Sequence, residues 1–440
     1  MRPFYFLLKF ILKYTLWIYY PRFVNVNKPK KRFARTIFAS NHAASFMDPL
    51  VVASSQPPIV FFMTRSDVFT PLLKPILWAS HMFPIYREHD GGDTKSKNQK
   101  VFEKCYRVLK NGRSLLIFSE GFTDDVFIRR LKPIKKGAVR IGFGALENIN
   151  WRKNIYLQAV GVNYSDPNKI GSDVVISNSD PICLNDYKAQ YEKDPNKTIY
   201  DLTQHLEREM QAQITDIRKK EWAELHENVM RLTRKGMNPS NTDKTIPLIE
   251  RWKYSKRLAD WLNNEGVKVE STLEELKTGL KDYFSLLKKL KIEEEHVYKI
   301  SSRKLPGKSR EIFSVLLLPI IPFGLLHNFL PYILIKRFVE KSFRRKVFWG
   351  SVKMMLGTLA FGFYNILFIF LGYYLIFPSW LFWMAYYFIV PPLSGIITYN
   401  YFRHRKDYKI LKLTAKRDIS KIIEKRDFLY NEIKKVIPVA

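Results

Sequence analysis

Between about Arg32 and Asn163 the chain alternates short apolar runs with amphipathic stretches. The runs RTIFAS, PIVFFMTR, HMFPIYR, SLLIFSEG and IYLQAVGVNY are short, rich in branched and aromatic residues, and bounded by turn formers, which predicts buried strands. Between two of them, NQKVFEKCYRVLKNG predicts a helix that stops at Asn111-Gly112, and KKGAVRIGFGALE predicts another. Strands alternating with helices predict an α/β domain with a mixed sheet, over residues 26–220. The polar signatures fall where strands end, and open sheets build their sites at such loops.

From about Thr198 to Lys299 the pattern turns helical and highly charged, as in DLTQHLEREMQAQITDIRKKEWAELHENVMRLTRK. Residues 221–305 are expected to form a charged helical extension, and such a face is ordinarily solvated. After Leu305 the pattern changes again. Ile312 to Ile335 is apolar and uncharged but holds Pro319, Pro322 and Pro331. Met354 to Phe377 and Trp380 to Tyr401 are apolar runs without charge, separated by PSW. Each of these two is long enough for a bilayer core of ~30 Å. Basic segments flank all three stretches: SSRKLPGKSR, KRFVEKSFRRK and FRHRKDYKILKLTAKR. By the positive-inside rule all three flanks are cytoplasmic. The last two runs then form a hairpin that goes out and returns, and the proline-rich first stretch is expected to be re-entrant or interfacial. The membrane region is 306–402, and 403–440 is a basic cytoplasmic tail.

The N-terminal segment MRPFYFLLKFILKYTLWIYYPRF is apolar and aromatic but interrupted by Lys9 and Lys13, and no small-residue cleavage site follows it. It is expected to be no cleaved signal peptide. Residues 1–25 read as a helix lying in a membrane interface, or as a surface helix packed on the core.

Composition sharpens this picture. The 440 residues are 46% hydrophobic and 15% aromatic, which is globular, with a formal net charge of +32. Such charge implies acidic partners: nucleic acid, anionic lipid, phosphorylated metabolites or an acidic carrier protein. No nucleic-acid-binding signature accompanies it, so no nucleic-acid partner is expected. Two cysteines, Cys105 and Cys183, exclude a disulfide framework or a cysteine-rich metal site.

The candidate chemistry starts at SNHAASFMDPL, directly after the first strand. His42 and Asp48 are six residues apart, so on a regular helix they would stand about 120° apart. They meet only if the strand-to-helix turn bends between them. If they do, the pair can act as a base and the carboxylate that orients it; otherwise His42 is a hydrogen-bonded loop residue. Three further segments follow in order: FPIYR ending in Arg87, IFSEGFTDD with Glu120-Gly121, and AVGVNY.

In this order and spacing the four segments resemble the blocks of the glycerolipid acyltransferase family, the bacterial PlsC-like 1-acylglycerol-3-phosphate and glycerol-3-phosphate acyltransferases. The resemblance runs from about Arg35 to Gln213 and makes 26–220 the acyltransferase domain. The family's usual spacing has four residues between histidine and aspartate, and here there are five, Ala43 to Met47. The longer form occurs in some bacterial members and in fungal-type glycerol-3-phosphate acyltransferases with membrane helices after the catalytic domain. Ser119 and Gly161 stand where the family has proline; the changes leave the acid–base pair intact and bear on the acceptor pocket.

The resemblance implies that His42 is the general base and Asp48 its partner. It places Arg65, Arg87, Glu120 and Gly121 at the acceptor site, where arginine suits a phosphate. Asn41 would shape the loop, and the Gly121 amide would help an oxyanion. Arg87 could instead pair with Glu88 or Asp90. Lys135 and Lys136 in LKPIKKG read equally as a carrier or headgroup contact and as a solvated turn. No metal and no cofactor are implied beyond the donor, acyl-CoA or acyl carrier protein. The implied activity is acyl transfer to 1-acylglycerol 3-phosphate at the cytoplasmic membrane, with the catalytic domain facing the cytoplasm. Glycerol 3-phosphate, another lysolipid or an amino-acid lipid are alternative acceptors. A basic, non-enzymatic membrane-associated binding protein is the alternative outside enzymology.

Overall fold

The computed structural model describes residues 3–28, 35–56, 60–71, 74–86, 93–303 and 315–440. The chain divides into two compact units, one of Met1–Pro167 with Gly171–Lys220, the other of Asn168–Ile170 with Glu221–Ala440.

The first unit is built on a mixed sheet of eight strands: β1 (Arg22–Val26), β2 (Thr36–Ser40), β3 (Val60–Arg65), β4 (Met82–Ile85), β5 (Ser114–Phe118), β6 (Tyr156–Tyr164), β7 (Asp173–Asn178) and β8 (Ile182–Cys183). Their spatial order is β1-β7-β6-β2-β5-β3-β4, with β8 pairing β6. Strands β6, β2, β5, β3 and β4 are mutually parallel. Their carboxyl ends therefore line one edge in that order, and the four polar segments fall there. The five expected strands are present. β1 was not expected: the N-terminal helix α1 (Pro3–Tyr19) stops well short of residue 25, and Arg22–Val26 pairs in parallel with β7.

Among the described residues the unit has six more α-helices: α2 (Met47–Ser55), α3 (Lys74–Ala79), α4 (Thr94–Lys110), α5 (Gly137–Asn148), α6 (Lys188–Lys193) and α7 (Pro195–Gln213). Helix α4 ends as its sequence suggests, with Asn111 as C-cap and Gly112 at φ 72°. Side chains alternate along each strand. Ile37, Ala39, Leu115, Ile117, Leu157 and Ala159 join the core that α4, α5 and α7 cover. The intervening Phe38, Leu116 and Val160 are buried too, so the sheet is covered on both faces. Gly161 has a packing reason: a Cβ there would lie 2.2 Å from the Gln213 carbonyl at the end of α7. Helix α1 buries Tyr5, Leu16 and Tyr19, and Lys9 donates to the Gln56 carbonyl at 2.9 Å, while Phe10 and Trp17 stay exposed.

The second unit is helical. It holds α8 (Ala223–Thr233), α9 (Leu248–Asn264), α10 (Glu270–Leu290), α11 (Glu294–Ser301), α12 (Ile321–Ser342), α13 (Trp349–Leu375), α14 (Trp380–Ala415) and α15 (Ser420–Val436). A buried ion pair, Arg426 to Glu294 at 2.6 Å, ties α15 to α11, and Tyr283 of α10 donates to the same carboxylate. The extension is therefore more than a solvated face.

Among the described residues three helices are long and apolar enough to cross a membrane: Leu318–Ser342, Lys346–Leu375 and Trp380–Ala415. Their large side chains point outward, Leu381 being 84% exposed and Phe363 71%, as lipid-facing residues do. The first of the three differs from its expected form. Its prolines do not break it. Pro319 lies in a short 3₁₀ turn and Pro322 in the first helical turn, where no amide is needed. Pro331 is interior and leaves the His327 carbonyl without its helical partner. Asn365 of α13 donates its side-chain amide to that carbonyl at 3.2 Å. The His327 ring is held between Asn365 Oδ1 at 2.5 Å and Tyr386 Oη at 2.7 Å, so this polar cluster satisfies itself inside the bundle. Residues 304–314, ahead of this helix, lie outside the described residues.

Candidate active site

The loop from β2 to α2 decides whether His42 and Asp48 meet. Ser45 takes a left-handed conformation, φ 53°, which L-residues adopt rarely. The bend lets Met47 and Asp48 donate their amides back to the carbonyls of Ala44 and Ser45. Asp48 thereby enters the first turn of α2, where a carboxylate is favoured by the helix dipole. His42 Nδ1 lies 3.0 Å from Asp48 Oδ2. A carboxylate only accepts, so Nδ1 carries the proton and Nε2 is the basic nitrogen. The ring stacks on Phe118 at 4.4 Å between centroids. Its side chain is 20% exposed, whereas that of Asp48 is wholly buried.

Asp48 has two further donors. The Ala44 amide reaches Oδ2 at 2.8 Å and the Tyr164 hydroxyl reaches Oδ1 at 2.9 Å. Burial, and then the charge of Asp48, push the Tyr164 phenol well above its ordinary range, so it remains a donor. Asn41 pairs its side-chain amide with both backbone groups of Val162, at 3.1 and 2.8 Å. That pairing fastens the start of the loop to β6.

At the end of β5, Glu120 is buried and both its oxygens are engaged. Oε1 accepts the backbone N–H of His42 at 2.7 Å, and Oε2 accepts from Lys132 Nζ at 3.1 Å. Burial pushes the Glu120 carboxyl above its usual range, against the pull of Lys132 and of the His42 amide. Gly121 takes φ 77°, and a Cβ there would sit 3.0 Å from the Lys135 side chain. Its amide donates to the Phe118 carbonyl at 3.2 Å. The amide thus closes the turn. Lys135 and Lys136 are exposed.

Arg65 closes β3 at the same edge, two strands from β2. Its guanidinium forks onto Asp67, with Nε to Oδ1 at 3.1 Å, and both side chains are about half exposed. Arg87 lies outside the described residues; β4, the strand before it, is next to β3. The structure therefore brings together Asn41, His42, Asp48, Glu120 and Gly121, with Arg65 farther along the edge. Sequence reasoning missed Tyr164 and Lys132, although both stand in segments it had singled out, AVGVNY and LKPIKKG. Among the described residues no group of three or more His, Cys, Asp or Glu could hold a metal ion.

Residues 23–160 match the family model described as Acyltransferase. No curated protein matches the chain. Among solved structures, the 1-acyl-sn-glycerophosphate acyltransferase PlsC from Thermotoga maritima is similar at 16% identity, over 46% of this chain and 79% of that one, with a TM-score of 0.32. The matched segment, which carries the His42–Asp48 pair, is an acyltransferase domain.

Proposed function

We propose, from an acyltransferase domain over residues 23–160, that the enzyme moves a fatty acyl chain from acyl-CoA or acyl carrier protein to 1-acylglycerol 3-phosphate. The observation that carries the chemistry is the 3.0 Å contact of His42 Nδ1 with Asp48 at the carboxyl edge of the parallel strands. Nε2 takes the proton of the acceptor hydroxyl, whose oxygen attacks the thioester carbonyl. The C–S bond breaks, the ester forms, and the thiolate leaves with a proton. Asp48 stabilises the imidazolium that forms in between.

A phosphorylated acceptor suits the +32 charge and Arg65 at the sheet edge. Adjacent strands are ~4.8 Å apart, so Arg65 starts about two such spacings from His42, a gap that a glycerol phosphate and an arginine side chain together span. Taking a phosphate would draw Arg65 from Asp67, and an exposed pair of that kind is worth only about 0–1 kcal/mol. Arg87 is proposed as the second phosphate ligand. Glycerol 3-phosphate is the alternative acceptor that the longer His–Asp spacing favours. The test is a panel of acceptors with both donors, read by mass spectrometry on the protein in lipid nanodiscs. Arg87→Ala should raise the KM for the phosphorylated acceptor by about 10- to 100-fold, since a hydrogen bond to a charged group is worth about 1.5–3 kcal/mol. Arg87→Lys should do so less, because lysine lacks the planar fork. The KM for the donor should barely move in either. Equal activity on a phosphate-free acceptor, with indifference to Arg87→Ala, rules the phosphate out.

We place the protein in the cytoplasmic membrane with the catalytic unit on the cytoplasmic side. The basic flanks of the three apolar helices argue for an even number of crossings. In this reading α13 and α14 cross, and α12 joins their bundle without adding a net crossing. The protein should therefore stay in the pellet after high-salt and carbonate washing. Release by salt alone would leave only the peripheral attachment that α1 and the basic surface provide.

A further inference from the structure

Lys132 is a buried cation beside the candidate site that the acid–base chemistry does not use. Its side chain is 2% exposed. Nζ donates to Glu120 Oε2 at 3.1 Å and to the Phe122 carbonyl at 3.2 Å, lies 3.4 Å from Asp124 Oδ2, and sits 4.9 Å from the centre of the Phe122 ring. The other oxygen of Glu120 holds the backbone amide of His42. A continuous line therefore runs from the Lys132 ammonium through one carboxylate to the backbone of the residue read as the base.

We propose that Lys132 is a positioning residue for the acyl transfer: its charge keeps the buried Glu120 anionic, and the anion fixes the His42 backbone so that the imidazole meets the acceptor hydroxyl. This deepens the function proposed above and rests on His42 being the base. The physical reason is the cost of a buried charge. An isolated carboxylate in such a place takes up a proton rather than stay charged. A protonated Glu120 accepts more weakly, and a proton carried on Oε1 would oppose the donor N–H of His42. The pull of burial on Glu120 is already visible, with Lys132 the largest influence against it. The charged and titratable groups around this line are His42 from the β2–α2 loop, Asp124 and Lys132 from the segment after β5, and Lys135 beside Gly121, with Asp48 behind the imidazole.

A buried ion pair also has a purely structural use, so the test needs a readout that stability alone does not move. Full-length protein in nanodiscs is compared as wild type, Lys132→Met, Lys132→Arg, Glu120→Gln and the Lys132→Met/Glu120→Gln double variant. The rate–pH profile is measured for each. The backbone amide of His42 is followed by selective ¹⁵N-histidine labelling. Lys132→Met should lower kcat by up to about 100-fold at neutral pH, the scale of a base misplaced by about 1 Å, with little change in either KM. Its rate should recover as pH rises, because Glu120 then ionises without help. That extra limb should be absent from Lys132→Arg, and absent from the double variant, whose rate should equal that of Glu120→Gln. The His42 amide should titrate at higher pH in Lys132→Met than in wild type. A wild-type pH profile and wild-type amide titration in Lys132→Met overturn the proposal. If Lys132→Met does not fold, the double variant removes charge and partner together. The proposal is then overturned if the double variant is much slower than Glu120→Gln, or if Lys132→Arg behaves unlike wild type in its pH profile. A wild type without acyl transfer to any acceptor defeats the function reading, while the amide titration still reports on Lys132.

Discussion

His42→Ala should lower kcat by about 10²–10⁴-fold, the usual loss when a general base is removed, with KM for donor and acceptor nearly unchanged. The size follows from the geometry. Asp48 holds Nδ1 at 3.0 Å, so the imidazole is fixed in one tautomer, with Nε2 as the basic nitrogen. The substitution should leave the fold intact. The His42 side chain is partly exposed, its backbone amide still reaches Glu120, and Asp48 keeps the Ala44 amide and the Tyr164 hydroxyl as donors. Thermal unfolding should accordingly shift by little, and the variant should stay in the membrane. The check is steady-state release of the donor's thiol together with mass-spectrometric detection of the ester. Near-wild-type turnover would remove His42 as the base. Equal and undetectable turnover in wild type and variant, with lipid binding intact, would favour the non-enzymatic membrane-binding reading.

The strands that hold the site were legible because each is an apolar run bounded by turn formers, and the helix stop at Asn111-Gly112 was legible because glycine tolerates the left-handed turn found there. β1 and β7 were not. β7 buries all six of its residues, Asp173, Ser177 and Asn178 among them, so it shows no clean alternation, and β1 continues an aromatic segment that reads as helix. The residue types of the base and its partner could be read directly. Their meeting could not, since it depends on Ser45 at φ 53°, a conformation no serine announces. Lys132 shares a basic run with Lys135 and Lys136 but alone is buried, because Glu120 lies against it. Tyr164 reaches Asp48 across 116 residues of sequence. Pro331 shows the same limit from the other side. The local rule for an interior proline predicts a break, and a side chain on the next helix, Asn365, supplies the missing donor. For Tyr164 and for Pro331 a partner distant in sequence overrides what neighbours in sequence suggest.

Asp48→Asn should lower kcat by about 10³–10⁴-fold, the scale seen when the carboxylate of such a pair becomes an amide, and it should also cost stability. The argument is a count of donors. Asp48 accepts from three: His42 Nδ1–H and the Ala44 amide on Oδ2, and the Tyr164 hydroxyl on Oδ1. Asparagine brings one acceptor oxygen and one NH₂. If its oxygen stays with His42 and Ala44, the NH₂ faces the Tyr164 hydroxyl. That hydroxyl must then turn to accept, in a site that is fully buried. If the amide flips, the NH₂ faces Nδ1, the imidazole must move its proton to Nε2, and the base is lost. In both arrangements the imidazolium loses its counter-charge. A buried polar group left badly paired costs about 1–3 kcal/mol, which should appear as a lower Tm. Adding Tyr164→Phe separates the two effects. It removes the opposing hydroxyl, so the double variant should regain part of the Tm while kcat stays at the Asp48→Asn level. Tyr164→Phe alone leaves the tautomer intact, so its loss in kcat should be far smaller than that of Asp48→Asn. If Asp48→Asn keeps wild-type kcat, or if Tyr164→Phe restores turnover along with stability, Asp48 serves only to hold the loop, and the charge needed by the imidazolium comes from elsewhere.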